Sequence, residues 1–253
     1  MKKRALGIYA ALALVFLHLP LAVLVVFSFN KGRFTVWEGL SLHWYSAALS
    51  DPQLAEGLLN SVIIAIVASV LATVIGTMAA YGMWKRSARV LEGGMLLSLV
   101  TPEIVTGVSL LALFQWAFRF LHLQLGMYTV IIAHVAFSIA YVMIVVSARL
   151  RGLDRSLEEA AMDLGAGPWR AFFRVTLPGI LPAVIAAALL ALVVSFDDYV
   201  ITSLVAGVDS ETLPMVIYAM ARRGVSPIVN AVSALILVLF GALIVLAERL
   251  REQ

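Results

Sequence analysis

The chain predicts an all-α membrane protein with six spanning helices in a single domain, residues 1–253. Three observations carry that expectation. Hydrophobic residues make up 62% of the 253 positions and charged residues only 13%, with a mean hydropathy of +1.01. A soluble domain is about half apolar and a quarter charged. Six apolar runs each reach the roughly 20 residues that cross a bilayer. Finally, Lys and Arg divide unevenly between the loops that join those runs.

The runs lie at roughly 6–29, 58–84, 92–118, 128–148, 179–205 and 228–247. The first follows Lys2, Lys3 and Arg4. Its apolar stretch is longer than a signal-peptide core, and no small-x-small cleavage site follows cleanly, so it reads as an uncleaved anchor. The third contains Pro102, which is expected to bend its helix and free a carbonyl, and Gly107, which permits close helix approach. The fourth carries a lone histidine, His134, read as a helix-contact residue. The outer loops fall at about 30–57, 119–127 and 206–227. In the first of them, Trp37, Trp44 and Tyr45 suit a helix lying at the membrane interface.

Six spans place both termini on one side. With the termini inside, 13 of the 18 Lys and Arg residues are cytoplasmic and 5 are external. This bias sets both termini and the loop at about 149–178 in the cytoplasm. The net charge of +3 is thus a topology signal rather than a sign of nucleic-acid binding. No G-x-x-x-x-G-K-[ST] phosphate loop occurs, so any ATP hydrolysis belongs to a partner. Cysteine is absent, which excludes disulfides and thiol chemistry. The sequence shows no metal-ligand constellation, nucleophile–base pair, internal repeat or low-complexity segment.

The loop at 149–178 has its own helical grammar. Ser156 and Glu159 have capping-box spacing. Leu153, Leu157, Ala160, Ala161 and Leu164 share one helical face, with Arg151, Arg155 and Glu158 off it. Gly165 suits a left-handed helix end. Pro168 suits the start of a second short helix, and Pro178 and Pro182 mark re-entry into the membrane. The plainer reading is an amphipathic helix on the lipid surface.

Within the spans and away from their ends, the acidic residues are Glu103, Asp197 and Asp198. Each costs about 2.5–3.5 kcal/mol at a helix centre, so such residues face a bundle interior or a watery cavity. No basic partner sits in the spans, which favours a cationic solute. On a continuous helix, Ser195, Asp198, Tyr199 and Thr202 form a polar stripe, with Asp197 about 100° away. Asp198 is therefore the first expected pathway residue, followed by Glu103 and Asp197. A ring face attracts a desolvated ammonium, which adds Trp116, Tyr141, Phe196 and Tyr199 as candidates. Against each stands a plain packing or helix-contact role.

Glu159-Ala160-Ala161, then Met162, Asp163, Leu164 and Gly165, and after nine further residues Val175-Thr176-Leu177-Pro178, resemble the EAA loop of ABC-importer permeases. The segments Pro102–Leu110, Ser195–Ile201 and Thr212–Met215 are similar to the second permease subunit of spermidine/putrescine transporters. The resemblance implies a type I ABC-importer permease fold with a cytoplasmic EAA coupling loop, in a bacterial inner membrane. It also implies a second, different permease subunit, a dimeric ATPase carrying ATP and Mg, a periplasmic substrate-binding protein and contact with membrane lipid. No cofactor is expected on this chain, and the chain itself is no enzyme. Glu159 to Gly165, with Leu177 and Pro178, are the implied ATPase-coupling residues. Two other classes remain open: an ABC permease for another small solute, and a proton-coupled secondary transporter.

Overall fold

The computed structural model describes residues 2–33, 36–86, 89–121, 123–224 and 227–251. The side chains of residues 2–5, 89, 91, 121 and 242–251 lie outside that description. The loop charges of Lys2, Lys3, Arg4, Arg89, Arg249 and Arg251 are among these. The described residues are nearly all helical. In chain order the elements are α1 (Lys2–Phe27), α2 (His43–Ser50), α3 (Pro52–Lys85), α4 (Arg89–Val100), α5 (Glu103–Leu121), α6 (Met127–Arg151) and α7 (Ser156–Asp163). There follow α8 (Pro168–Ala171), a π turn (Phe172–Thr176), α9 (Leu177–Asp197), α10 (Val200–Val205), α11 (Leu213–Arg222) and α12 (Pro227–Arg251).

Five described helical runs are long and apolar enough to cross a membrane: Leu6–Phe27, Pro52–Lys85, Glu103–Phe120, Met127–Arg151 and Pro168–Asp197. The sixth expected run falls on α12, a 25-residue helix whose apolar described stretch is Pro227–Gly241. Two of the expected spans are not single helices. The run at 92–118 divides at Thr101–Pro102 into α4 and α5, because Pro102 has no N–H to continue the ladder and crowds the preceding turn. The run at 179–205 divides at Asp198, whose ψ of 124° is extended.

The chain forms two compact units, Met1–Ala55 with Val216–Gln253, and Glu56–Met215. In the first, α12 packs on α1 and α2. The connection from α1 to α2 is folded around Asn30. Its side-chain oxygen accepts the Glu38 amide at 2.9 Å, its amide donates to the Val36 carbonyl at 2.8 Å, and Trp44 Nε1 donates to its backbone carbonyl at 3.0 Å. Trp44 and Tyr45 sit on the short helix α2, with Trp37 ahead of it.

In the second unit, α6 is the central post. Val130, Ala133, Val142, Val146 and Leu150 are fully buried along it, and α9 and α4 pack against it. One apolar cluster joins Ala72, Trp84, Val146, Leu150, Ile180 and Ala187. A second joins Ile64, Phe114, Val130, Phe137, Ile201 and Val205. Lipid tails are as apolar as leucine, so close packing of small residues, rather than water exclusion, holds such helices together. Gly107 does what its spacing predicted: a Cβ there would lie 2.6 Å from Leu204 Cδ1 and 3.4 Å from Ile201 Cα, so glycine sets how closely α5 meets α10.

Candidate functional site

The two helix breaks open onto one cavity of about 490 Å³. Thr101, Pro102 and Glu103 line it from the first break, Asp197, Asp198 and Tyr199 from the second, and Phe137 and Tyr141 from α6. A volume of roughly 300–1,000 Å³ is that of a small-molecule site. Of the expected pathway residues, Glu103, Asp197, Asp198, Tyr199 and Tyr141 line the cavity, and Ser195, Thr202 and Trp116 do not. Trp116 is 63% exposed and edge-on to Phe120, on the outside of its helix. Phe196 is buried in packing.

The continuous polar stripe through Ser195, Asp198, Tyr199 and Thr202 is corrected by the break at Asp198. Because α9 ends there, the four residues no longer share one helical face. Instead, Asp198 turns back to cap α10. Its carboxylate accepts the Thr202 amide at 2.8 Å and the Thr202 hydroxyl at 2.7 Å, and lies 3.5 Å from His134 Nε2, leaving the side chain 6% exposed. His134 is fully buried, with Nδ1 2.7 Å from Ser195 Oγ and Nε2 2.9 Å from Thr202 Oγ1. It is the satisfied helix-contact residue the sequence suggested, joining α6 to both sides of the break. Glu103, in the first turn of α5, and Asp197 are exposed, and no hydrogen bond to either carboxylate is described.

A second polar assembly lies at the end of α3. Glu158 is 1% exposed on α7. It accepts hydrogen bonds from Tyr81 Oη and Thr176 Oγ1, each at 2.6 Å, and pairs with Lys85 Nζ at 2.7 Å. Burial alone would push this carboxyl up. The bonds from Lys85, Thr176 and Tyr81 outweigh that and hold it below the usual carboxylate range. Thr176 reaches it from the π turn, a feature common at functional sites. Helical spacing sets Glu158 off the apolar face, where a charged residue reads as solvated. The signal that could have found it is the trio Tyr81, Lys85 and Glu158 at ends of neighbouring helices, visible only once α3 and α7 are known to meet.

The exposed side of α7 mixes large apolar and acidic side chains. Leu157 is 54% exposed, Leu164 90%, and Trp169 and Phe173 stack on each other nearby at 6.2 Å. The shared apolar face therefore splits, with Ala161 turned partly inward beside Glu158, as Met162 is, and Leu157, Ala160 and Leu164 outward. Glu159 and Asp163 are exposed as well, while Leu177 and Pro178 open α9. The capping box is also corrected. Ser156 is already inside the helix, and its amide donates to Asp154 Oδ1 at 2.9 Å. That amide holds the Asp154 carboxyl below its ordinary range. At the other end Gly165 has φ +88°, its amide donates to the Met162 carbonyl, and the Ala166 amide to the Ala161 carbonyl. These two bonds are the Schellman closure that glycine makes without strain.

Among known proteins, the chain is 43% identical over 233 residues to the putrescine transport system permease protein PotI of Escherichia coli K12, covering 89% of this chain and 83% of the relative. It is 37% identical over 237 residues to the spermidine/putrescine transport system permease protein PotC of Haemophilus influenzae, covering 92% and 91%. Among solved structures, it matches a chain of a bacterial ABC transporter involved in the import of the polysaccharide alginate, with TM-score 0.70 at 16% identity over 98% of this chain and 97% of that one. A chain of the MetNI methionine ABC transporter matches with TM-score 0.66 at 19% identity, covering 79% and 97%. These two likenesses establish the importer-permease fold. Residues 72–252 match the family described as binding-protein-dependent transport system inner membrane component, to which this chain belongs.

Proposed function

We propose that this chain is a permease subunit of an ATP-driven polyamine importer and forms half of the translocation pathway. The observation that carries the reading is the cavity at the two helix breaks, where Glu103 and Asp197 present carboxylates with no described hydrogen bond. Such groups stabilise a passing ammonium without any cation among the described residues competing for them, and Tyr141 and Tyr199 add aromatic faces. The names of the PotI and PotC relatives point to the same solutes. Asp198 serves here as the cap that fixes the cavity wall rather than as the first contact for the amine.

The exposed side of α7, from Leu157 to Leu164 with Glu159 and Asp163 among them, is the docking face for a dimeric ATPase that binds ATP and Mg. A second permease subunit completes the pathway, and a periplasmic protein delivers the solute. The chain lies in a bacterial inner membrane with both termini cytoplasmic, the siding that the Lys and Arg bias favours. ATP binding and hydrolysis would shift inward-open and outward-open populations through α7.

The test is uptake of labelled putrescine and spermidine by a strain lacking its own polyamine importers, with this chain co-expressed with its partner subunits. Saturable, ATP-dependent uptake of either amine is the expected outcome. Uptake of a non-cationic solute with none of either amine would sink the polyamine assignment.

A further inference from the structure

We propose that a pocket at the ends of α3 and α6 is a phospholipid site, fitted to a headgroup that carries a phosphodiester and a primary ammonium. The pocket encloses about 330 Å³. Both helices are membrane-crossing runs that end there, at Lys85 and Arg151. The pocket thus sits where hydrocarbon gives way to headgroups, and basic pockets between spanning helices at that depth bind lipid headgroups.

Its lining divides by chemistry. Ala80, Met83 and Trp84 from α3 and Met95 from α4 make an apolar wall. Such a wall suits glycerol and the first acyl carbons and offers nothing to a free anion. Of the three cations on the rim, Lys85 is committed to Glu158 at 2.7 Å. Arg155 lies 5.0 Å over the Trp84 ring and donates to the Trp84 carbonyl, which leaves most of its five N–H groups unused. Arg151 is exposed with no described partner. Two guanidinium forks are therefore available, and their geometry matches phosphate oxygens bidentately. One helical turn before Arg151, the Ser147 hydroxyl is buried beside the pocket and meets no hydrogen-bond partner.

Glu92 completes the pattern. It lines the same pocket from the first turn of α4 and makes no ion pair among the described residues. A carboxylate on the rim works against a purely anionic headgroup and recruits an ammonium one. A quaternary ammonium has no N–H to donate to it, so the assignment is to phosphatidylethanolamine rather than phosphatidylcholine or phosphatidylglycerol. It needs only that the chain crosses a membrane and holds whatever solute it carries.

The test is native mass spectrometry of the intact permease complex released from nanodiscs with equal parts of those three lipids. The expected result is preferential retention of phosphatidylethanolamine. The R151Q/R155Q variant should cut that retention about tenfold, as loss of charge-assisted bonds does. Glu92→Gln should erase the advantage over phosphatidylglycerol, and millimolar inorganic phosphate should displace nothing. Should the arginine variant fail to fold, lipid brominated on its acyl chains gives a second reading in the native chain. Brominated phosphatidylethanolamine should quench the emission that Trp84→Phe removes more strongly than brominated phosphatidylglycerol does. Equal retention or quenching by the lipids, undiminished retention in R151Q/R155Q, an unchanged preference in Glu92→Gln, or displacement by phosphate alone each overturns the assignment.

Discussion

Glu158 and the pair Glu103 and Asp197 are carboxylates of one helical unit in opposite circumstances. Glu158 is sealed to 1% exposure and met by three donors at 2.6–2.7 Å. Glu103 and Asp197 are exposed to a cavity with no described donor. A buried carboxylate is stable only when its lone pairs are filled, and once filled it ties together the elements that fill them. Here those elements are α3, α7 and the π turn. A carboxylate left open keeps its capacity for an arriving cation. The two settings assign the same functional group to fixing structure in one place and to receiving charge in the other. Asp198 shows that lining a cavity does not decide the matter: its Oδ2 accepts the Thr202 amide and hydroxyl, and its Oδ1 the Ile201 amide.

Neutralising the open pair should have the largest effect. In the Glu103→Gln, Asp197→Asn double variant, polyamine uptake at equal membrane expression should fall on the order of a hundredfold, two charge-assisted contacts at about 1.5 kcal/mol each. Thermal stability in detergent should hardly change. Uptake at the native rate would remove the distinction between receiving and fixing carboxylates.

The converse holds for the sealed one. Glu158→Ala orphans two hydroxyls and leaves Lys85, about a third exposed, without its anion. It should destabilise the folded subunit by about 3 kcal/mol, seen as a lowered unfolding midpoint. Because the folded-state pKa of Glu158 is depressed, its contribution is complete above the ordinary carboxylate range and is lost as pH falls through the lowered value. Glu158→Gln should therefore flatten the acid limb of the stability profile. An unchanged acid limb would mean that the ion pair is not coupled to folding.

Gly165→Ala places a β-carbon at φ +88° and should cost about 1 kcal/mol. It should loosen the end of α7 and reduce co-purification of the ATPase without altering amine affinity. Trp116→Ala sharpens the comparison from the other side. An outward-facing ring should change uptake less than about twofold, and a large loss would place Trp116 in a pathway that the cavity does not include.

The class of fold was legible because a bilayer imposes length and apolarity on every crossing segment. The α7–α8 loop was legible in its punctuation, where Gly165 and Pro168 act through local backbone constraints. What escaped was anything decided between helices. Pro102 signalled a bend, but whether a proline bends or breaks a helix depends on neighbours that satisfy the freed groups. At Asp197–Asp198 nothing in a 3.6-residue period announces an extended residue, so a periodicity argument drew a stripe across a break. Glu158 failed for the mirror reason: its charge argued for water, and its three partners are distant in sequence.

The breaks at Thr101–Pro102 and Asp198 bring helix ends, as well as side chains, to the cavity. Each break presents the carbonyl terminus of one helix, α4 or α9, and the amide terminus of the next, α5 or α10. Left alone, these opposed half-charges would nearly cancel. They do not meet equally: Asp198 absorbs the amides that open α10, and Glu103 sits in the first turn of α5. Asp198 closes the positive end of α10 through its own hydrogen bonds, whereas the positive end of α5 is answered only by the charge of Glu103 in its first turn. A permease stripped of both open carboxylates would therefore lose more than two charges, because removing Glu103 also turns the uncovered amide end of α5, a positive half-charge, toward the path of an arriving cation.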